Sequence, residues 1–271
     1  MNATEARSSA GLTNLQMGAR EAWGDLAAHW RRPQSPVVAL WPLWLALAVL
    51  AFSALFFVGA FFDVQAARAA QRLGLDVAIF FQRVTQLGKS NWLFALPILT
   101  ILYALARRPR AATRRERTAL GLVSSYALYF VAVQALSGAL SQLVKHSVGR
   151  ARPLLIDKLG AFHFDAFSLH ATLASFPSGH TTTVFAAFGA LTLLSPRFGP
   201  WFLLVAIPVA VSRVIVGAHY PSDVCGGLFL GLASALIVAR VFARRKIAFT
   251  IAPDALLPKP RGGALLRRAQ S

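Results

Sequence analysis

Three short stretches of this 271-residue chain set cations, histidines and a carboxylate at the edges of apolar blocks. "KHSVGRARP" holds Lys145 and Arg152, "PSGH" holds Ser178, Gly179 and His180, and "SRVIVGAHYPSD" holds Arg213, His219 and Asp223. Charged groups beside hydrocarbon are costly, so a chain that keeps them has a use for them. Lys145, Arg152 and Arg213 offer many donors; guanidinium forks match phosphate oxygens, and an ammonium adds a point charge. Lys145 and Arg152 share a face if one helix continues through both. Ser178 and Gly179 fall where a helix begins, so free N–H groups and the helix dipole favour an anion there. Gly179 has no side chain to obstruct a close approach. The set reads as a cradle for a phosphoryl group.

Two histidines border it. His219 precedes Asp223 by four residues, a spacing that allows a carboxylate–imidazole hydrogen bond at a helix start. The carboxylate would orient the ring and stabilise its charged form, as in a catalytic triad. Pro221 suits the first turn of that helix. A histidine so held can attack phosphorus, and a second can protonate the leaving oxygen. The residue types alone leave open which of His180 and His219 attacks. No metal or other cofactor is expected. The chain has one cysteine, Cys225, and Asp157 and Asp165 lack the spacing of a dinuclear site. The cradle's cations can themselves stabilise transition-state charge. Arg150 is expected in headgroup contact or in water, Ser212 in support of the cradle or in packing, and His146, His163 and His170 as loop residues.

These side chains need a scaffold, and composition says which. The chain is 56% hydrophobic and 14% charged, with mean hydropathy +0.56, against about 45–50% apolar and 25% charged in ordinary soluble domains. Six apolar blocks read as membrane helices: Val37–Phe62, Trp92–Ala106, Ala119–Val144, Thr181–Ser195, Pro200–Gly217 and Val224–Ala239. The net charge of +18 comes without a nucleic-acid motif and clusters at block ends, so nucleic-acid binding is set aside. "RRPRAATRRER", with six arginines against one glutamate, places the second connection in the cytoplasm. Both termini follow it. The connections Asp63–Asn91, Lys145–His180 and Ala218–Asp223 then lie outside, and all three motif stretches fall at one membrane face.

The expected architecture is an all-α polytopic membrane protein of six spans, with its site at the outer membrane face. Residues 1–35 form a cytoplasmic segment, 36–246 the six-helix domain and 247–271 a basic tail. Leu12, Leu15, Ala19, Trp23, Leu26 and Trp30 recur every three or four residues, as on an amphipathic helix lying on the inner surface.

The three stretches together resemble the signature of the type 2 phosphatidic acid phosphatase superfamily: Lys145, six residues, Arg152-Pro153; Pro177-Ser178-Gly179-His180; Ser212-Arg213, five residues, His219, three residues, Asp223. That family includes membrane lipid phosphate phosphatases, glucose-6-phosphatase and vanadium haloperoxidases. The resemblance implies that His219 is the nucleophile, Asp223 its orienting partner and His180 the general acid. It implies that Lys145, Arg152, Ser178, Gly179 and Arg213 bind the phosphoryl oxygens, without metal. The function so implied is hydrolysis of a lipid phosphate or diphosphate held in the bilayer: undecaprenyl diphosphate, phosphatidylglycerol phosphate, phosphatidic acid or lipid A. A lipid phosphotransferase would use the same intermediate. A non-catalytic anionic-lipid binder or transporter would need the cations but not both histidines. The loop 154–176, rich in phenylalanine, is expected either to cover the site or to pack on the bundle.

The topology is testable. In a Cys225→Ser background, a cysteine at Gly160 should react with an impermeant thiol reagent applied outside, and one at Thr113 should not. Labelling of position 113 from outside would reverse the orientation.

Overall fold

Within hydrocarbon every backbone N–H and C=O must pair inside the chain, and an apolar run achieves this as a helix. The computed structural model, which describes residues 3–31, 41–253 and 255–262, is accordingly mostly helical. Its α-helices are α1 (Ala3–Arg31), α2 (Trp41–Phe61), α3 (Asp63–Gln71), α4 (Leu75–Val84), α5 (Ser90–Arg107), α6 (Arg114–Val148), α7 (Ile156–Leu159), α8 (Gly179–Leu194), α9 (Gly199–Ile215) and α10 (Pro221–Arg244). A 3-10 turn, Thr85–Gly88, follows α4. Two-residue strands β1 (Phe249–Thr250) and β2 (Lys259–Pro260) pair antiparallel in the basic tail, a small departure from the all-α expectation.

Four helical stretches are long and apolar enough to cross a membrane: Leu75–Arg110, Arg114–Val148, Pro196–Ile215 and Pro221–Arg244. The pair α2 and α3, bent by 48° where they meet, makes a fifth if counted as one span. The chain is thus a multi-pass membrane protein. α2 exposes Leu45, Leu50, Phe57, Val58 and Phe61, as a helix facing lipid does, while Phe52 packs on Phe229 of α10. The stretch expected as the fourth span is α8, at 16 residues about 24 Å long and shorter than a hydrocarbon core of about 30 Å. The first four residues expected in span one, 37–40, lie outside the described residues, as does the boundary at 35/36. The segment Asp63–Asn91, expected only as a connection, is largely helical. Arg68, Arg72, Asp76 and Arg83 break its hydropathy, so a search for uncharged runs passes over it.

The chain divides into two compact units, one of Ala39–Asn91 and Val133–Ile237, the other of Met1–Val38, Trp92–Ala132 and Val238–Ser271. In the second of these, α1 meets α5 at Gly18, where a Cβ would stand 2.0 Å from the Leu105 carbonyl oxygen. Arg108 pairs with Glu21 at 3.2 Å and with Asp25. Tyr129 packs its ring against Phe242 and Phe249. Leu12, Trp23 and Trp30 of α1 remain exposed.

The first unit carries the three motifs. Val184 and Phe185 of α8 interlock with Ala206, Val209 and Ala210 of α9 in a closed apolar cluster. α8 meets α10 more closely still. A Cβ on Gly227 would lie 2.7 Å from the Ser178 carbonyl oxygen, and one on Gly231 would lie 2.6 Å from that of Thr182. This is the small-xxx-small contact by which membrane helices bring backbones together. Chain reversals do the rest. α6 stops at Val148 because Gly149 turns left-handed at φ +62°, and a side chain there would overlap the Asp165 carbonyl oxygen. The helix therefore does not continue through Arg152, which is extended. α9 ends at Gly217, φ +65°, and the Arg213 carbonyl accepts the N–H groups of Ala218 and His219, a glycine-dependent helix stop.

The glycine contact predicts a graded result. Gly227→Val and Gly231→Val should each lower the thermal midpoint of the detergent-solubilised protein, by the equivalent of about 1–3 kcal/mol of overpacking. Gly138→Ala, in α6 where a Cβ meets nothing within 4 Å, should leave the midpoint unchanged or raise it. Equal midpoints for all three variants would show that the close approach of α8 and α10 is not needed.

Candidate active site

The start of α10 fixes the carboxylate. Asp223 stands in its first turn and is fully buried. Its Oδ2 accepts the Tyr220 N–H at 2.9 Å, in the manner of a capping box, and the Ser175 hydroxyl at 2.6 Å. His219 lies just before the helix, 4% exposed, with Nδ1 3.6 Å from Asp223 Oδ2. The expected pair is present, at a distance slightly beyond a hydrogen bond. Burial lowers the His219 pKa to about 4 against the upward pull of Asp223, with Lys145 and Arg213 adding to the lowering. The imidazole is neutral near pH 7 and its second nitrogen is available as a nucleophile.

The cations gather as expected. Lys145, Arg152 and Arg213 are mutually close enough to feel one another's charge, and His180 lies within reach of Lys145, Arg213 and His219. Lys145 Nζ is steadied by the carbonyls of Ala174 (3.0 Å) and Pro177 (2.6 Å). A Cβ on Gly179 would stand 3.7 Å from Lys145 Cε, so the start of α8 adjoins the ammonium. Arg213 donates to the Thr85 hydroxyl at 2.6 Å. Among the described residues, few buried side-chain nitrogens have no hydrogen-bond partner; Arg152 Nε and Arg213 Nε are two of them. Cationic donors of this kind beside a helix N-terminus are chemically suited to an oxyanion.

One expectation changes in detail, and one left open is resolved. The Ser178 N–H donates to the Asp223 carbonyl oxygen at 2.9 Å, so it ties two motifs together, and the amides left to an anion are those that follow it in the first turn of α8. Ser212 bonds back to the Val209 carbonyl within α9 and is a packing residue.

The sequence reading missed the largest feature. Arg150 is 2% exposed, not solvated. It donates from Nη1 to Asp223 Oδ1 (2.6 Å) and the Ser222 hydroxyl (2.6 Å), and from Nη2 to Asp63 Oδ2 (2.7 Å) and the Ala161 carbonyl (2.9 Å). Its plane lies over the Tyr220 ring at 4.4 Å. Burial opposes its charge, but Asp223 and Asp63 more than offset this and the pKa is raised. Asp63 also accepts the Ser222 N–H and hydroxyl, capping α10. A buried charge without an ion partner is rare, but the residues around Arg150 carry no signal of partners that lie 73 and 87 positions away. His146, expected in a loop, stands instead in the last turn of α6, where its ring bonds the Ser168 carbonyl.

Known proteins resemble this chain. Residues 126–247 match the PAP2 superfamily. The chain is 38% identical over 236 residues to the lipid A 1-phosphatase of Rhizobium johnstonii, covering 87% of this chain and 95% of that protein. It is 42% identical over 171 residues to the lipid A 1-phosphatase of Rhizobium etli, covering 63% and 74%. A crystal structure of a PAP2-type phosphatidylglycerolphosphate phosphatase from Bacillus subtilis aligns over 70% of this chain and 92% of that one, with 23% identity and a TM-score of 0.45. With nearly the whole of a curated relative spanned at that identity, the chain belongs to the PAP2 superfamily as a membrane lipid phosphate phosphatase.

Proposed function

We propose that this protein removes the 1-phosphate of lipid A at the outer face of a bacterial inner membrane, through a phosphohistidine formed on His219. The observation that carries the substrate choice is the 38% identity spanning 95% of the Rhizobium johnstonii lipid A 1-phosphatase. Phosphatidic acid, phosphatidylglycerol phosphate and undecaprenyl diphosphate present the same phosphoryl chemistry and are the alternatives the test separates.

The phosphoryl oxygens sit among Lys145, Arg152, Arg213, Ser178 and Gly179. With Nδ1 toward Asp223, His219 offers Nε2 to phosphorus. As the P–N bond forms, the bond from phosphorus to the lipid oxygen breaks, and His180 gives that oxygen its proton. A water then attacks phosphorus while His180 takes its proton. The P–N bond breaks, and phosphate leaves with His219 restored. Asp223 stabilises the positive imidazole of the intermediate, and the cradle cations stabilise the charge on the equatorial oxygens. Phe162, Phe164, Phe167 and Leu169, all exposed on the loop after Arg152, offer an apolar surface to the acyl chains. Residues 36–246 are the catalytic domain in this reading, with six spans and both the 1–35 segment and the 247–271 tail on the cytoplasmic side.

The test is phosphate release by purified protein from a panel of the four lipids. Lipid A 1-phosphate should be the preferred substrate, in EDTA as in its absence. Preference for another member overturns the substrate, and no release from any overturns the reaction. Protein quenched in base after labelled substrate should carry alkali-stable, acid-labile phosphate, absent in His219→Ala. Asp223→Asn should lose on the order of a hundredfold or more in kcat. His180→Ala should retain more activity on nitrophenyl phosphate, whose leaving group is good, than on a lipid phosphate. Label kept in His219→Ala and lost in His180→Ala would exchange the two histidines' roles.

A further inference from the structure

Asp223 does not face His219 alone. Its other oxygen is held by Arg150, and the far side of the same guanidinium is held by Asp63, at 2.6 and 2.7 Å. Asp63 and Asp223 are fully buried and Arg150 nearly so. Asp63 comes from the start of α3, Arg150 from the loop after α6 and Asp223 from α10. Two carboxylates and one guanidinium sum to one negative charge. Without Asp63 the sum would be zero, and Arg150 would neutralise the carboxylate on which the histidine depends. Water is excluded, so the balance acts on His219 with little screening.

We infer that Asp63 and Arg150 are positioning residues of the reaction proposed above, which together hold Asp223 in place and set at one negative charge the carboxylate–guanidinium cluster that His219 faces. Asp63 is the anion that keeps Arg150 from cancelling Asp223, and Arg150 is the cation that lets two carboxylates lie buried side by side. Other charged or titratable groups facing His219 are Lys145 of α6, Arg213 of α9 and His180 of α8. None of them is altered in the variants below.

The charge count makes the inference testable. His219 must be unprotonated to attack, and negative charge nearby favours its protonated form. More negative charge therefore moves the acid limb of the kcat/KM profile to higher pH, and less moves it to lower pH. Asp63→Asn keeps the shape and brings the cluster to zero, so the limb should move down by on the order of one pH unit. Arg150→Gln brings it to minus two and should move the limb up. The double variant Asp63→Asn, Arg150→Gln returns the count to minus one, and its limb should return toward that of the parent although kcat stays low. The measurement uses full-length protein in detergent with nitrophenyl phosphate, alongside the thermal midpoint. A purely structural role lowers kcat and the midpoint but leaves the limb in place. An unmoved limb in well-folded Asp63→Asn, or a double variant further from the parent than Asp63→Asn, overturns the inference. If Arg150→Gln fails to fold, with two carboxylates buried unpaired, the other two variants still decide. Label on His219 of the parent protein, measured in the same preparation, separates the outcomes. Its absence fails the proposed reaction, while its presence with an unmoved limb fails only this inference.

Discussion

Arg150 between Asp63 and Asp223 is the interaction on which the remainder of the site depends. Three ionised groups out of water are tolerated only when each is paired and hydrogen-bonded, and removing one partner from such a set costs about 3–5 kcal/mol. Here the set is satisfied from every side. Ser222, Ser175, the Tyr220 N–H and the Ala161 carbonyl complete the coordination of the three charges. Because the partners come from α3, from the loop after α6 and from α10, the cluster ties together segments far apart in the chain. It also places two carboxylates at the positive end of the α10 dipole, where negative charge is favoured.

Geometry at the helix ends makes the cluster possible. The left-handed Gly149 ends the helix and takes Arg150 and Arg152 off its surface into the loop. Arg150 enters the carboxylate cluster, while Arg152 keeps a buried Nε without a protein partner. The loop beyond is bound to this stretch by the Ala151 N–H on the His163 carbonyl, the Arg152 N–H on Thr172 and the Ser175 N–H on the Arg150 carbonyl. The loop 154–176 is therefore more than an external cover. Its carbonyls at Ala161 and Ala174 hold Arg150 and Lys145.

What the sequence made legible follows from the same physics. Residues that announce chemistry by type and short spacing, such as His219 with Asp223 or Ser178-Gly179-His180, were readable because local backbone geometry alone brings them near one another. Long uncharged runs were readable as helices because lipid leaves the backbone no alternative. α8 was read as a further span from composition, which cannot register that Thr181, Thr182 and Val184 are buried. Asp63–Asn91 was read as a connection because its charges interrupt the hydropathy, although Thr85 and Asp63 within it reach the site. The Arg150 cluster was illegible for a different reason. Its partners lie 73 and 87 positions away, and no local pattern distinguishes a buried arginine from a solvated one. The Gly227 and Gly231 spacing was visible but means close helix contact only once a partner helix is known.

His219 thus stands between two electrostatic systems of opposite sign. On one side Lys145, Arg152 and Arg213 carry three positive charges; on the other the Arg150 cluster carries one negative. At rest the cations and the loss of water keep the imidazole neutral, which is the form a nucleophile needs. In the proposed reaction a phosphate dianion entering the cradle compensates most of that positive charge. The repulsion that held His219 neutral falls, the attraction of Asp223 is unchanged, and positive charge on the ring becomes acceptable as the P–N bond forms. Substrate binding itself would then shift the balance from a neutral nucleophile to a stabilised phosphoimidazole. The same argument explains why the carboxylate must not be fully neutralised by Arg150. With no net negative charge on that side, nothing would favour the ring's charge once the bond is made.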